Sequence, residues 1–125
     1  MTDAIQSQIV FTEIPATDPA RACVFYETLL EAPLVEDRNG PNPVWMLPHT
    51  KGGHAAGHLY PGQPAKDGDG MTAHLAITGD LTEAMGRVRK GGGTVVSEII
   101  DIPVGSFFYA KDSEGNSLGL FKYKI

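Results

Sequence analysis

Few side chains in this sequence are suited to chemistry. Four histidines, at positions 49, 54, 58 and 74, and Glu13 in a β-branched stretch can move protons. Cys23 is the single thiol. It lies beside Ala22 and Phe25 in the middle of a helical pattern, with no basic partner to favour its thiolate, and reads as a small core residue rather than a nucleophile. His49 follows Pro48 in a turn, and His54 sits in a Gly-rich turn, so both read as exposed. Glu13 and His74 remain as the candidates for general acid–base work. Each lies in a segment with strand character.

An internal repeat positions them. Gly53 and Gly57 are echoed by Gly115 and Gly119, Asp18 by Asp80, and Trp45 by Phe107, each 62 residues apart. Phe11 pairs with His74 at an offset of 63. Each half reads as β-α-β-β-β. In the first half, Ile9–Ile14 is a strand, and Thr17 or Asp18 caps a helix with Pro19 in its first turn. Ala22, Phe25, Tyr26, Leu29 and Leu30 recur at helical spacing until Pro33 ends the pattern. Strands follow at 34–35, 44–47 and 55–60. Residues 61–70 form a linker of prolines, glycines and charges. In the second half, strand 71–78 leads to a helix capped by Asp80 and ended by Gly91-Gly-Gly93. Strands follow at 94–102, with a break near Glu98, at 104–110 and at 117–123. Asp112, Gly115 and Asn116 form a turn.

Bulk composition narrows the classes. The 125 residues suit one α+β domain of 1–125, with module one about 7–60 and module two about 71–125. A net charge of -5 with scattered Lys and Arg argues against nucleic acid as a partner. No apolar run reaches the roughly 20 residues that span a bilayer. The first six residues lack a secretory pattern, and a lone cysteine forms no internal disulfide, so the expected location is cytoplasmic.

Two stretches resemble a known superfamily. Ile14-Pro-Ala-Thr-Asp18, followed by Ala22 and Phe25-Tyr26, is similar to the opening signature of the vicinal oxygen chelate proteins. These include glyoxalase I, bleomycin-resistance proteins and extradiol dioxygenases. Lys111-Asp-Ser-Glu-Gly-Asn-Ser-Leu-Gly-Leu120 is similar to the closing signature. The resemblance implies two tandem βαβββ modules whose curled mixed sheets enclose a cavity, and commonly a homodimer. It also implies four metal-ligand positions, carried over here to Phe11, Gly57, His74 and Gly119. Three of these have no donor atom, while a tightly held ion needs about three protein ligands. The expectation is therefore no resident cofactor, with a divalent metal as the lesser alternative.

In that fold, strand alternation places Phe11 and Glu13 on the cavity side, with His74. Gly57 with Leu59, and Gly119 with Phe121, follow onto the same side, and His58 and Tyr60 fall on the opposite one. The two glycines read either as space for a ligand or as relief of crowding where the sheets curl. Trp45, Phe107, Phe108 and Tyr109 lie on third strands that wall the cavity, as aromatic lining or as core. Glu13 is either a desolvated base or a solvated rim carboxylate. His74 is either a hydrogen-bonding ligand contact or a satisfied core residue. Three functions compete. The leading one is a metal-free protein that holds a small, partly apolar molecule against Phe11, Glu13, Trp45, Gly57, Leu59, His74, Phe108, Gly119 and Phe121. The second is an enzyme related to lactoylglutathione lyases or dioxygenases. It would use Glu13, His58 and His74 converging on a metal, or Glu13 and His74 as metal-free acid and base. The third is a dimerisation module with no ligand.

Overall fold

Asp18 and Asp80 open the two helices as their spacing predicts. In the computed structural model, which describes residues 9–124, Asp18 accepts from the Arg21 amide at 3.2 Å. Helix α1, Pro19–Leu30, buries Ala22, Phe25, Tyr26 and Leu29, and ends at Glu31 in the left-handed region. Asp80 accepts from the Thr82 amide at 2.7 Å. Helix α2, Leu81–Lys90, buries Leu81, Ala84 and Val88 and carries Arg87, Arg89 and Lys90 in its last turn, where cations suit the helix dipole. The helices pack together, with Arg87 Nε donating to the Leu29 carbonyl at 3.0 Å. Residues 1–8, which include the start of module one and the segment read for a secretory signal, lie outside the described residues. Among the described residues no helix is long and apolar enough to cross a membrane.

Each half builds one mixed sheet. The first contains β1 (Thr12–Ala16), β2 (Val35–Asp37), β3 (Val44–Met46) and β4 (Gly57–Pro61), in the order β1-β4-β3-β2 with β1 parallel to β4. The second contains β5 (Ala73–Ala76), β6 (Thr94–Val95), β7 (Ile100–Ile102), β8 (Gly105–Lys111) and β9 (Ser117–Tyr123). Its order is β5-β9-β8-β6, with β7 also on β8 and β5 parallel to β9. These are the two βαβββ modules, with one strand of the second divided. The division comes where the Val96 and Ser97 amides both reach the Tyr109 carbonyl, at 2.8 and 3.2 Å. That bulge is the break expected near Glu98.

The first strand sits later than its composition predicts. It runs through Pro15 because, among the described residues, β1 pairs with β4 alone, leaving one side unbonded where proline's missing donor costs nothing. One face of each sheet packs on the helices. Ile14, Leu59, Phe108, Leu118 and Leu120 meet Phe25, Tyr26, Leu29 and Val88 there in a single core. The other face of each sheet is open.

The closing turn braces the two modules. Asp112 is buried, and its carboxylate accepts from Tyr26 Oη at 2.5 Å, from the Glu114 and Asn116 amides, and from Asn116 Nδ2. Asn116 Nδ2 also donates to the Pro15 carbonyl at 2.8 Å. Glu114 meets Arg21 at 2.7 Å and accepts from the Asp18 amide at 2.9 Å. A turn in module two therefore ties down both β1 and α1 of module one.

Candidate functional site

Register decides which side chains reach the open faces. In β1 and β4, Ile14 lies opposite Leu59, and both are buried. Alternation then puts Glu13 and His58, the next register pair, on the open face together. In β5 and β9 the corresponding core pair is Leu75 and Leu120, and the open pair is His74 and Gly119. Matching core pair to core pair gives an offset of 61 in both strands. The glycine echo at 62 aligns the last strands one residue out, and a one-residue slip exchanges the faces.

The expected positions are corrected accordingly. Leu59 and Phe108 are fully buried in the core and line no open face. Trp45 lies opposite Leu59 and packs against the core, while its neighbours Val44 and Met46 face outward. Gly57 is buried at the crossing of two backbones: a Cβ there would stand 2.1 Å from the Thr12 carbonyl oxygen. This is close backbone approach, not ligand space. Gly119 does lie beneath the open face, but the His74 ring occupies the room above it, 2.2 Å from where a Cβ would be. His58 and Tyr60, expected on the opposite face, belong to the open one. The available signal was hydropathy: matching Leu59 to Leu120, rather than glycine to glycine, restores the parity.

On the first open face, His58 Nε2 and Glu13 Oε2 are 3.1 Å apart. The Phe11 ring meets the His58 ring edge-on with centroids 5.0 Å apart, and the Tyr60 ring is also edge-on to it at 6.4 Å. The His58 side chain is 15% exposed and Glu13 68%. A cleft of about 470 Å³ opens over them, walled by Val44, Met46 and Tyr60 and by the β2–β3 turn from Asn39 to Asn42. Glu13 is thus a rim carboxylate, and His58 is its partner.

The second open face is aromatic. His74 lies edge-on to Phe107, Tyr109 and Phe121, with centroids 5.6–6.0 Å apart. Phe107 and Phe121 stack nearly parallel at 5.7 Å. A smaller cleft of about 290 Å³ is lined by His74, Ala76, Phe121 and Tyr123. The two clefts share no lining residue. Glu13, His58 and His74 therefore do not converge within the chain, and among the described residues no three His, Cys, Asp or Glu side chains are placed to share a metal ion. The offset of 61 puts His58, not Gly57, at the last-strand position equivalent to Gly119. Phe11 and Gly119 offer no donor, and His58 and His74 lie in separate clefts, so the donor set does not fit the superfamily's ion. Burial, with Glu27 and Glu36 nearby, pushes the Cys23 thiol up to about 11, which suits its core reading. His49 and His54 are exposed.

Residues 8–120 match the model of the Glyoxalase/Bleomycin resistance protein/Dioxygenase superfamily. The chain belongs to that superfamily. Solved structures agree on the fold of this glyoxalase-superfamily chain. A glyoxalase/bleomycin resistance protein from Albidiferax ferrireducens is 22% identical with a TM-score of 0.64, over 94% of this chain and 100% of that one. The fosfomycin resistance protein FosX from Mesorhizobium loti is 14% identical with a TM-score of 0.66, over 98% and 96%. TnmS3, an antibiotic binding protein from a Streptomyces species, is 19% identical with a TM-score of 0.65, over 98% and 100%. No curated protein is matched by the chain.

Proposed function

We propose that this glyoxalase-superfamily chain binds a small, partly apolar molecule against the open faces of its sheets, without a resident metal. The observation that carries the reading is the cleft of about 470 Å³ over Glu13 and His58, where Val44, Met46 and Tyr60 supply apolar wall. That size and mixture suit a small-molecule site. The structural likeness to TnmS3, an antibiotic binding protein, is consistent with it. The lack of a donor atom at Phe11 and Gly119, with His58 and His74 in separate clefts, favours binding over metal-assisted turnover.

A homodimer fits the same reading. Phe11, Tyr109 and Tyr123, on the open sides of the two sheets, are 41%, 36% and 67% exposed. A second copy laid over these rings would bury them and close the clefts. Nile red, an uncharged apolar dye, tests the cleft. It should bind saturably with micromolar Kd, and Met46→Glu on the wall should weaken it about tenfold, the equivalent of about 1.4 kcal/mol. Absence of saturable binding, or equal binding by the variant, refutes the proposal. Sedimentation of wild type and Tyr123→Glu tests the dimer: a wild-type monomer at all concentrations excludes it.

A further inference from the structure

The open face of the first sheet carries an arrangement that simple ligand holding does not need. Glu13 Oε2 sits 3.1 Å from His58 Nε2, the length of a hydrogen bond. A carboxylate accepts there, so the ring proton belongs on Nε2 and the lone pair on Nδ1. His58 Nδ1 has no hydrogen-bond partner among the described residues, yet no side-chain nitrogen or oxygen that lacks a partner is buried. Nδ1 is therefore reachable from outside, on a ring that lines the cleft. The Phe11 and Tyr60 rings both lie edge-on to it.

We propose that His58, held by Glu13, is a metal-free proton acceptor for a weakly acidic C–H or heteroatom–H group of a molecule bound in this cleft. The orienting carboxylate, the ring and its free nitrogen form a unit of the kind that general-base catalysis uses. Glu13 is the positioning residue and His58 the group that takes the proton. The inference rests on the cleft being a ligand site.

Nitrobenzisoxazole is a suitable probe because it needs only a base. His58 Nδ1 removes the ring C–H proton, the freed electron pair completes a nitrile as the N–O bond breaks, and the coloured cyanonitrophenolate is released. Wild type should catalyse this with saturation, and His58→Gln should lower kcat about 100-fold. Glu13→Ala should lower kcat about tenfold or more while KM stays within twofold, and Glu13→Gln should restore part of the loss, since its amide oxygen still accepts from Nε2. His49→Gln, exposed outside the cleft, should match wild type. Nitrogen NMR of the wild-type protein should find the His58 proton on Nε2, a result independent of variant folding. A proton on Nδ1, or equal rates for wild type and His58→Gln, overturns the proposal. If the probe saturates without faster turnover, binding stands and proton transfer fails. If neither the probe nor Nile red saturates, the ligand site itself fails.

Discussion

Replacing Tyr26 by Phe removes one hydroxyl from the brace between the modules and changes nothing else in shape. Tyr26 is fully buried, and its Oη donates to Asp112 Oδ2 at 2.5 Å. Burial, followed by the nearby Asp112 carboxylate, pushes the phenol well above its usual range, so the donor keeps its proton at every pH at which the protein is handled. A hydrogen bond to a charged acceptor contributes about 1.5–3 kcal/mol. Asp112 retains three donors, the Glu114 and Asn116 amides and Asn116 Nδ2, so it is not left unpaired. The expected loss is therefore about 2 kcal/mol. At about 2.1 cal/mol/K per residue, the unfolding entropy of a chain this long is about 0.26 kcal/mol/K, and the melting temperature should fall by about 8 °C. Urea titration and calorimetry read this directly, and the loss should be equal at pH 6 and pH 9. Asp112→Ala should cost more, because it frees all four donors. The double variant should lose less than the sum of the singles, since they share one interaction. A Tyr26→Phe loss below about 0.5 kcal/mol, or strict additivity, would refute the view that this buried pair joins the modules.

The two echoed glycines should respond differently to a methyl group. Gly57→Ala forces a Cβ to within 2.1 Å of the Thr12 carbonyl oxygen, a backbone atom that cannot move without breaking β1 from β4. It should destabilise by about 3 kcal/mol or more in urea titration, in the range of a severe overpacking. Gly119→Ala meets the ring of an exposed His74 instead, so it should cost under about 1 kcal/mol while changing the near-ultraviolet dichroism of the aromatic face. Equal losses at the two positions would contradict the assigned faces. Glu114 is held down to about 2 by its hydrogen bond with Arg21, against burial. A depressed carboxylate stabilises above its unfolded value of 4.5, and that contribution is lost as pH falls from there towards 2. Glu114→Gln should therefore flatten the acid limb of the stability profile, with wild type and variant converging near pH 2. The difference should shrink in salt, because Arg21 is half exposed.

The fold was legible because its signals are local. Asp18 and Asp80 cap helices whose apolar residues recur at helical spacing, and each helix is followed by strands and turns in the same order. Capping and periodicity act between residues a few positions apart, so one chain suffices to read them. Proline's effect on β1 was harder to place, because whether Pro15 can sit in a strand depends on which neighbour that strand lacks. The position of His74 on an open face was also legible, since the first strand of module two alternates without interruption.

The site was less so. Glycine matched glycine in the sequence, yet Gly57 and Gly119 do different work. One admits a neighbouring backbone, and the other lies under a histidine ring. The difference lies in register, which is fixed by burying Ile14 against Leu59 and Leu75 against Leu120 and not by any property of the glycines. A slip of one residue moves every side chain to the other face, so a local echo cannot determine it. Thus the sequence by itself determined two repeated modules and their capped helices. Tertiary structure alone decided that Glu13 faces His58 and that His74 lies apart from them among aromatic rings. Pairing between strands some 45 residues apart is a non-local event, settled by the core that both strands must share.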